Sequence, residues 1–245
     1  DGSCAHGSCS CPCSGAGGGV TCPTTSIKLD AATGRCMTRE PTGEWTCLGD
    51  QVLTSCCALN ANNICGCNSS GEVWKWDGEE WSCLSTSPVL NTVSIGCDGA
   101  MYGVEAQTFH VQKWDGDSWN EITGVAPIIA AYSDTLIYAM TGSGLYIGDG
   151  TGNWTLADST SCDDISVAKD GSLFAVKNSD GSLVKWSGTA WGSSLGAATG
   201  LKKIAAKSAT MVWAVGADDT LYYWNGLTWV QSSTDTVSGL AMAMM

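Results

Sequence analysis

Four tryptophans in this chain stand immediately before a small polar residue: Trp76-Asp77, Trp114-Asp115, Trp186-Ser187 and Trp224-Asn225. A pyranose has an apolar CH face and a rim of hydroxyls, so an exposed indole with a short hydrogen-bonding neighbour suits it. These residues are the candidate carbohydrate-binding set. The structural alternative is that each leading Trp packs between sheets.

Residues for catalysis are sparse. His6 and His110 are the only histidines, and no Ser or Cys nucleophile with an acidic partner recurs beside His110. The carboxylate pairs Glu79-Glu80 and Asp163-Asp164 are adjacent in sequence. Neighbours on a strand point to opposite faces, which disfavours a glycosidase pair. No glycine loop of phosphate-cradling type precedes a helix. The expectation is a non-enzyme with no catalytic residues, no cofactor and no metal.

The elements that position the tryptophans follow from a repeat. Phrases ending in a second Trp recur as VWKWDGEEW, VQKWDGDSW, LVKWSGTAW and LYYWNGLTW, with looser copies CMTREPTGEW and LYIGDGTGNW. The trailing residues Trp45, Trp81, Trp119, Trp154, Trp191 and Trp229 are spaced by 36, 38, 35, 37 and 38 residues. The two looser copies carry Glu40 and Gly148 where the leading Trp would stand. Because all six copies keep the trailing Trp, it is expected to be scaffold.

One copy predicts a four-stranded antiparallel meander: Ile165 to Lys169, Ser172 to Lys177, Ser182 to Trp186 and Thr189 to Ser193. Asp170-Gly171, Asp180-Gly181 and Ser187-Gly188 supply the turns, where glycine permits positive φ. A second-strand motif recurs as MYGV, IYAM, LFAV and VWAV, with Gly103, Ala139, Ala175 and Ala214 at its third position and Gly66 in the second repeat. A fixed small residue in a bulky strand suggests close approach of a neighbouring sheet.

The first repeat offers Ser26 to Asp30, Gly34 to Arg39 and Glu44 to Leu48 as its second, third and fourth strands, but no inner strand. The chain's end, TVSGLAMAMM, resembles the start of another repeat. The expectation is an all-β, six-bladed β-propeller of four-stranded blades over residues 23–245, with Leu240 to Met245 completing the first blade.

The pattern DGSLxxVxxDGSLxKWxGxxW resembles the tectonin-type repeat of tectonins, tachylectin-like proteins and fish-egg lectins, across roughly Thr25 to Met245. The resemblance implies a six-bladed propeller and carbohydrate binding, including bacterial surface glycans and methylated sugars. The WD-type repeat is matched only by half, at Trp76-Asp77 and Trp114-Asp115.

Composition bounds the partners. The net charge of −13 with only two Arg excludes a nucleic-acid binder, and no run of about 18 apolar residues predicts membrane insertion. The first residue is Asp, with no charged-then-apolar leader before it, so a processed, secreted chain is expected. The fourteen cysteines (Cys4, Cys9, Cys11, Cys13, Cys22, Cys36, Cys47, Cys56, Cys57, Cys65, Cys67, Cys83, Cys97 and Cys162) are read as disulfide-forming. Their connectivity is open. The sequons at Asn68 and Asn153 fit an extracellular glycoprotein.

Residues 1–22 form a Cys/Gly/Ser-rich arm with almost no apolar side chains. The arm motivates a second expectation, a structural subunit of an extracellular filament or coat that self-associates through it. A zinc site at CSCPC with His6 matches no standard finger.

Overall fold

A computed structural model describes residues 26–39, 45–196 and 198–242. The N-terminal arm, with Cys4, Cys9, Cys11, Cys13 and Cys22, lies outside the described residues.

The chain is an all-β six-bladed propeller. The first blade contains β1 (Ser26–Asp30), β2 (Arg35–Arg39) and β3 (Thr46–Val52); the second β4 (Ser55–Asn60), β5 (Asn63–Cys67), β6 (Val73–Trp76) and β7 (Trp81–Ser85). The third has β8 (Leu90–Ile95), β9 (Met101–Glu105), β10 (His110–Trp114) and β11 (Trp119–Val125); the fourth β12 (Ile128–Ser133), β13 (Leu136–Thr141), β14 (Gly144–Gly148) and β15 (Trp154–Asp158). The fifth has β16 (Cys162–Val167), β17 (Leu173–Lys177) and β18 (Leu183–Lys185); the sixth β19 (Leu201–Ser208), β20 (Met211–Gly216), β21 (Thr220–Trp224) and β22 (Trp229–Met242). Pairing within every blade is antiparallel, and the inner strands β4, β8, β12, β16 and β19 touch in turn around an axis.

β22 spans two roles because it is 14 residues long. Trp229 to Thr236 pair with β21, and Val237 to Met242 pair with β1, Leu240 lying opposite Lys28. Residues 243–245 lie outside the described ones.

The predicted strands of the first repeat match β1 in full and β2 and β3 within a few residues. The fifth blade departs from the meander. Its fourth strand reduces to one bridge, Trp186 with Trp191, although Gly192 N–H still donates to Lys185 O (2.9 Å) and Leu195 N–H to Leu183 O (2.8 Å). The stretch after Trp191 is Gly/Ser/Ala-rich, with Leu195 and Thr199 as the branched side chains among residues 192–200, so little holds a regular pleat.

The small second-strand position is crowded: Ala139, Ala175 and Ala214 lie in the apolar clusters shared with the preceding blade, and the two glycines are also pressed from within their own blade. A Cβ on Gly66 would meet Ser55 O at 2.5 Å and Leu53 Cδ1 at 2.7 Å; one on Gly103 would meet Leu90 Cδ1 at 2.4 Å. Leu53 and Leu90 both lead into the inner strand of the same blade. At Gly66 and Gly103 the segment leading into the inner strand, dropping its side chain over the sheet, sets the size limit.

Three trailing tryptophans latch successive blades, whereas the indole N–H groups of Trp119 and Trp191 are buried without a hydrogen-bond partner. Trp81 Nε1 donates to Leu48 O, Trp154 Nε1 to Thr123 O, and Trp229 Nε1 to Leu195 O at 2.9 Å. Each acceptor lies just after the trailing Trp of the preceding blade. Turn aspartates add a second latch: Asp98 Oδ2 accepts Asp134 N–H (2.7 Å) and Asp170 Oδ2 accepts Ala209 N–H (2.7 Å). Trp229→Phe keeps the ring and removes the donor, so urea denaturation should show a loss of about 1–2 kcal/mol, with an unchanged far-UV spectrum.

Candidate functional site

The leading tryptophans expected to present stacking faces are largely inside the protein. Trp76, Trp186 and Trp224 are 7%, 9% and 7% exposed, and Trp114 is half-buried. Each leans on its trailing partner with ring centroids 5.1 to 5.8 Å apart, tilted or edge-on. Each also joins the apolar cluster between its own blade and the one before. The three buried indoles therefore correct the exposed-face expectation: their faces are spent on blade packing.

The polar residues that follow them are occupied by their own turns. Asp77 Oδ1 accepts the N–H groups of Glu79 (2.9 Å) and Glu80 (3.0 Å), and Asn225 Oδ1 those of Leu227 and Thr228 (both 2.9 Å). Ser187 Oγ donates to Ala190 O at 2.8 Å. Asp115 accepts from Asp117 N–H, Ser118 N–H and Asn120 Nδ2, and the Ser118 bond is the first cause holding its carboxyl at about 2. The next residue is the turn glycine, for example Gly116 at φ 111° and Gly226 at φ 93°. The Trp-Asp-Gly phrase is thus a turn code.

Along the axis, the inner strands enclose a channel of about 370 Å³. Its polar side chains reach sideways to the next blade: Ser94 Oγ accepts Ala131 N–H, Ser166 Oγ accepts Ala206 N–H (both 2.9 Å), and Asp164 Oδ2 accepts Ile204 N–H (2.8 Å). Burial pushes Asp164 up to about 6, against the opposing pull of Lys203, whose Nζ is 3.8 Å from Oδ1. Asp163 faces solvent while Asp164 faces inward, as alternation requires. Glu79 and Glu80 sit exposed in a turn.

A second cavity, about 320 Å³, opens between the third and fourth blades. Gly124, Val125 and Ala126 form one wall; Ala139, Thr141, Ser143, Tyr146 and Trp154 form the other. Its following blade is one of the two copies that lack a leading indole, with Gly148 in that place. Trp154 leans over Gly148 instead, where an added Cβ would come within 2.6 Å of its ring. The crevice presents two aromatic rings, two hydroxyls and the exposed side chain of Val125, which sequence reasoning missed. The signal that could have found it was the Gly148 departure from the repeat.

His110 pairs through Nδ1 with Glu121 Oε2 at 3.1 Å across β10 and β11. Among the sequons, Asn153 is exposed with Nδ2 donating to Asp149 Oδ2 (2.8 Å), and Asn68 is half-buried with Nδ2 donating to Glu72 Oε2 (2.7 Å). The structure forms no disulfide among the nine described cysteines, Cys36, Cys47, Cys56, Cys57, Cys65, Cys67, Cys83, Cys97 and Cys162. It does gather Cys36 with Cys56, and Cys57 opposite Cys65. Among the described residues no group of three His, Cys, Asp or Glu is placed to hold a metal.

No protein-family description matches this chain, and no curated protein does. Solved structures do. Virginiamycin B lyase from Staphylococcus aureus superposes with a TM-score of 0.59 at 11% identity, covering 91% of this chain and 92% of that one. XC5397 from Xanthomonas campestris, described as a gluconolactonase, gives 0.59 at 12% identity with 94% and 92% covered. YCF48 from Cyanidioschyzon merolae gives 0.53 at 16% identity with 78% and 71% covered. At these identities the likeness is one of fold alone.

Asp164 has a measurable consequence. A carboxyl raised from 3.8 to about 6 binds its proton more tightly in the folded than in the unfolded chain, so its contribution to stability is full below the lower value and is lost as pH rises through the upper one. Asp164→Asn, which retains an oxygen for the Ile204 N–H, should remove that decline. Urea midpoints of the two proteins at pH 4 and pH 7 should show the variant gaining up to about 3 kcal/mol on the parent between the two.

Proposed function

We propose that this chain is a secreted, carbohydrate-binding propeller of tectonin type, and that it holds its saccharide in the crevice between the third and fourth blades. The observation that carries the proposal is the crevice itself. Trp154 and Tyr146 offer apolar ring surface for the CH face of a sugar, and Ser143 offers a hydroxyl for its rim beside Thr141, whose hydroxyl is shared with its own turn. A cavity of about 320 Å³ lies at the small end of ligand pockets, which run from ~300 to ~1,000 Å³. At four other interfaces the leading indole of the following blade packs into the cluster between the blades, and Glu40, at the corresponding position of the first blade, lies outside the described residues, so among the described interfaces one carries such a site.

The repeat likeness, the acidic charge and the cysteine content support the tectonin and extracellular parts of the proposal. A glycan array followed by titration calorimetry tests it. Tyr146→Ala should weaken binding at least about tenfold, and Gly148→Trp, which adds the indole present in the other copies, should abolish it. Silence across a broad array, or binding indifferent to both variants, would sink the assignment.

The same proposal takes the pairing of β22 with β1 as the closure of the ring. Removing residues 237–245 should then leave β1 with an open edge, and the truncated chain should associate or lose its cooperative thermal transition. A truncated monomer with an unchanged transition would refute closure.

A further inference from the structure

Five interfaces between successive blades repeat one pair of residue positions. The first member comes from the third strand of one blade, opposite the residue that follows the small second-strand position; the second comes from the inner strand of the next blade, opposite its small position. The pairs are Val73 with Val93, Val111 with Ile129, Leu145 with Ile165 and Leu183 with Ile204, each sharing one apolar cluster. Between the first and second blades, the same two positions hold Cys36, opposite Leu29, and Cys56, opposite Gly66. These two thiols share one apolar cluster, and the Cys56 side chain beside it, together with burial, pushes the Cys36 thiol well above its usual range. Both members of an otherwise aliphatic pair have changed to cysteine together.

We propose that Cys36 and Cys56 form a disulfide bond that staples the first blade to the second. The other cysteines of the second blade are poor rivals for Cys36. Cys57 faces away from the first blade, directly opposite Cys65, and Cys65 Sγ lies 3.5 Å from Met101 Sδ of the third. Cys47, on β3 of the first blade and near Cys36, lies opposite Met37 in register and donates its thiol to Gly49 O at 2.9 Å.

The oxidant is a disulfide of small-thiol or oxidoreductase type. Cys36 is fully buried, whereas Cys56 is half-buried at the channel wall, so the incoming disulfide meets Cys56 first. The Cys56 thiolate attacks one sulfur of the oxidant, forming a mixed disulfide and releasing one thiol. Cys36 then attacks Cys56 Sγ, the Cys36–Cys56 bond forms, and the second thiol leaves with the proton that Cys36 gives up. Two protein thiols are oxidised and one disulfide is reduced to two thiols.

The full chain, refolded in a glutathione redox buffer and digested without reductant, provides the test. Trypsin releases residues 36–39 with Cys36 as their single cysteine. Mass spectrometry should find that fragment joined to the one containing Cys56, with the link lost in Cys56→Val and kept in Cys57→Val. A fragment that alkylates as a free thiol, or that is joined to any other cysteine, overturns the proposal. The double variant Cys36→Val/Cys56→Val restores the aliphatic pair of the other interfaces and should fold. Reductant should then cost the parent chain roughly 100-fold more in folding equilibrium than it costs the double variant; equal costs would also overturn it.

Discussion

A propeller blade cannot bury itself, and the packing between blades is the constraint on which the rest of this structure depends. A four-stranded sheet has two apolar faces, and each is covered only by the sheet before or after it. The aliphatic pairs joining the third strand of one blade to the inner strand of the next are the centre of that contact. Around them the polar groups are directed sideways. Indole N–H groups, turn carboxylates and channel hydroxyls all reach the backbone of an adjacent blade. Register along the sheet and spacing around the axis are therefore set by the same contacts.

Much of this was legible in the residue pattern, because the features that recur are local. Turn glycines need positive φ and announce themselves; alternating strands and the Trp period gave six copies with boundaries close to those observed. The pairing of Leu240 with the first blade follows from counting strands. What was not legible depends on direction in space. A Trp followed by Asp reads equally well as a ligand platform or as a buried ring beside a turn cap, and only burial separates the two. The aspartates of the Asp-Gly turns read as turn formers; that Asp98 and Asp170 also hold the next blade depends on blade spacing, which no local pattern encodes. The loss of the regular fourth strand in the fifth blade was written in the composition after Trp191 and was masked by the repeat.

The crevice illustrates how a repeat acquires a site. Symmetry makes every interface alike, and identical interfaces packed for stability leave little room for a ligand. An exception is needed. Gly148 is such an exception: without its indole the following Trp154 leans over bare backbone, and Tyr146, Thr141 and Ser143 line an opening. The structural neighbours differ in function while sharing this frame, which fits a division in which the conserved geometry carries the fold and departures from it carry chemistry.

The first blade is the other exception, and for a different reason. Its strand β1 pairs with β2 on one side and with β22, far along the chain, on the other. Contacts of such long sequence separation carry the greatest loop-closure cost and form late. The blade also departs from the repeat internally. At the position that is Gly or Ala in the other copies it has Lys28, buried with its ammonium 4.6 Å from the Trp45 ring centroid. A blade assembled from distant segments and built on an irregular core gains most from a link to its regular neighbour. Cys36 and Cys56 stand at the point where four other interfaces carry an aliphatic pair, so the place most in need of reinforcement is where the residue type changes.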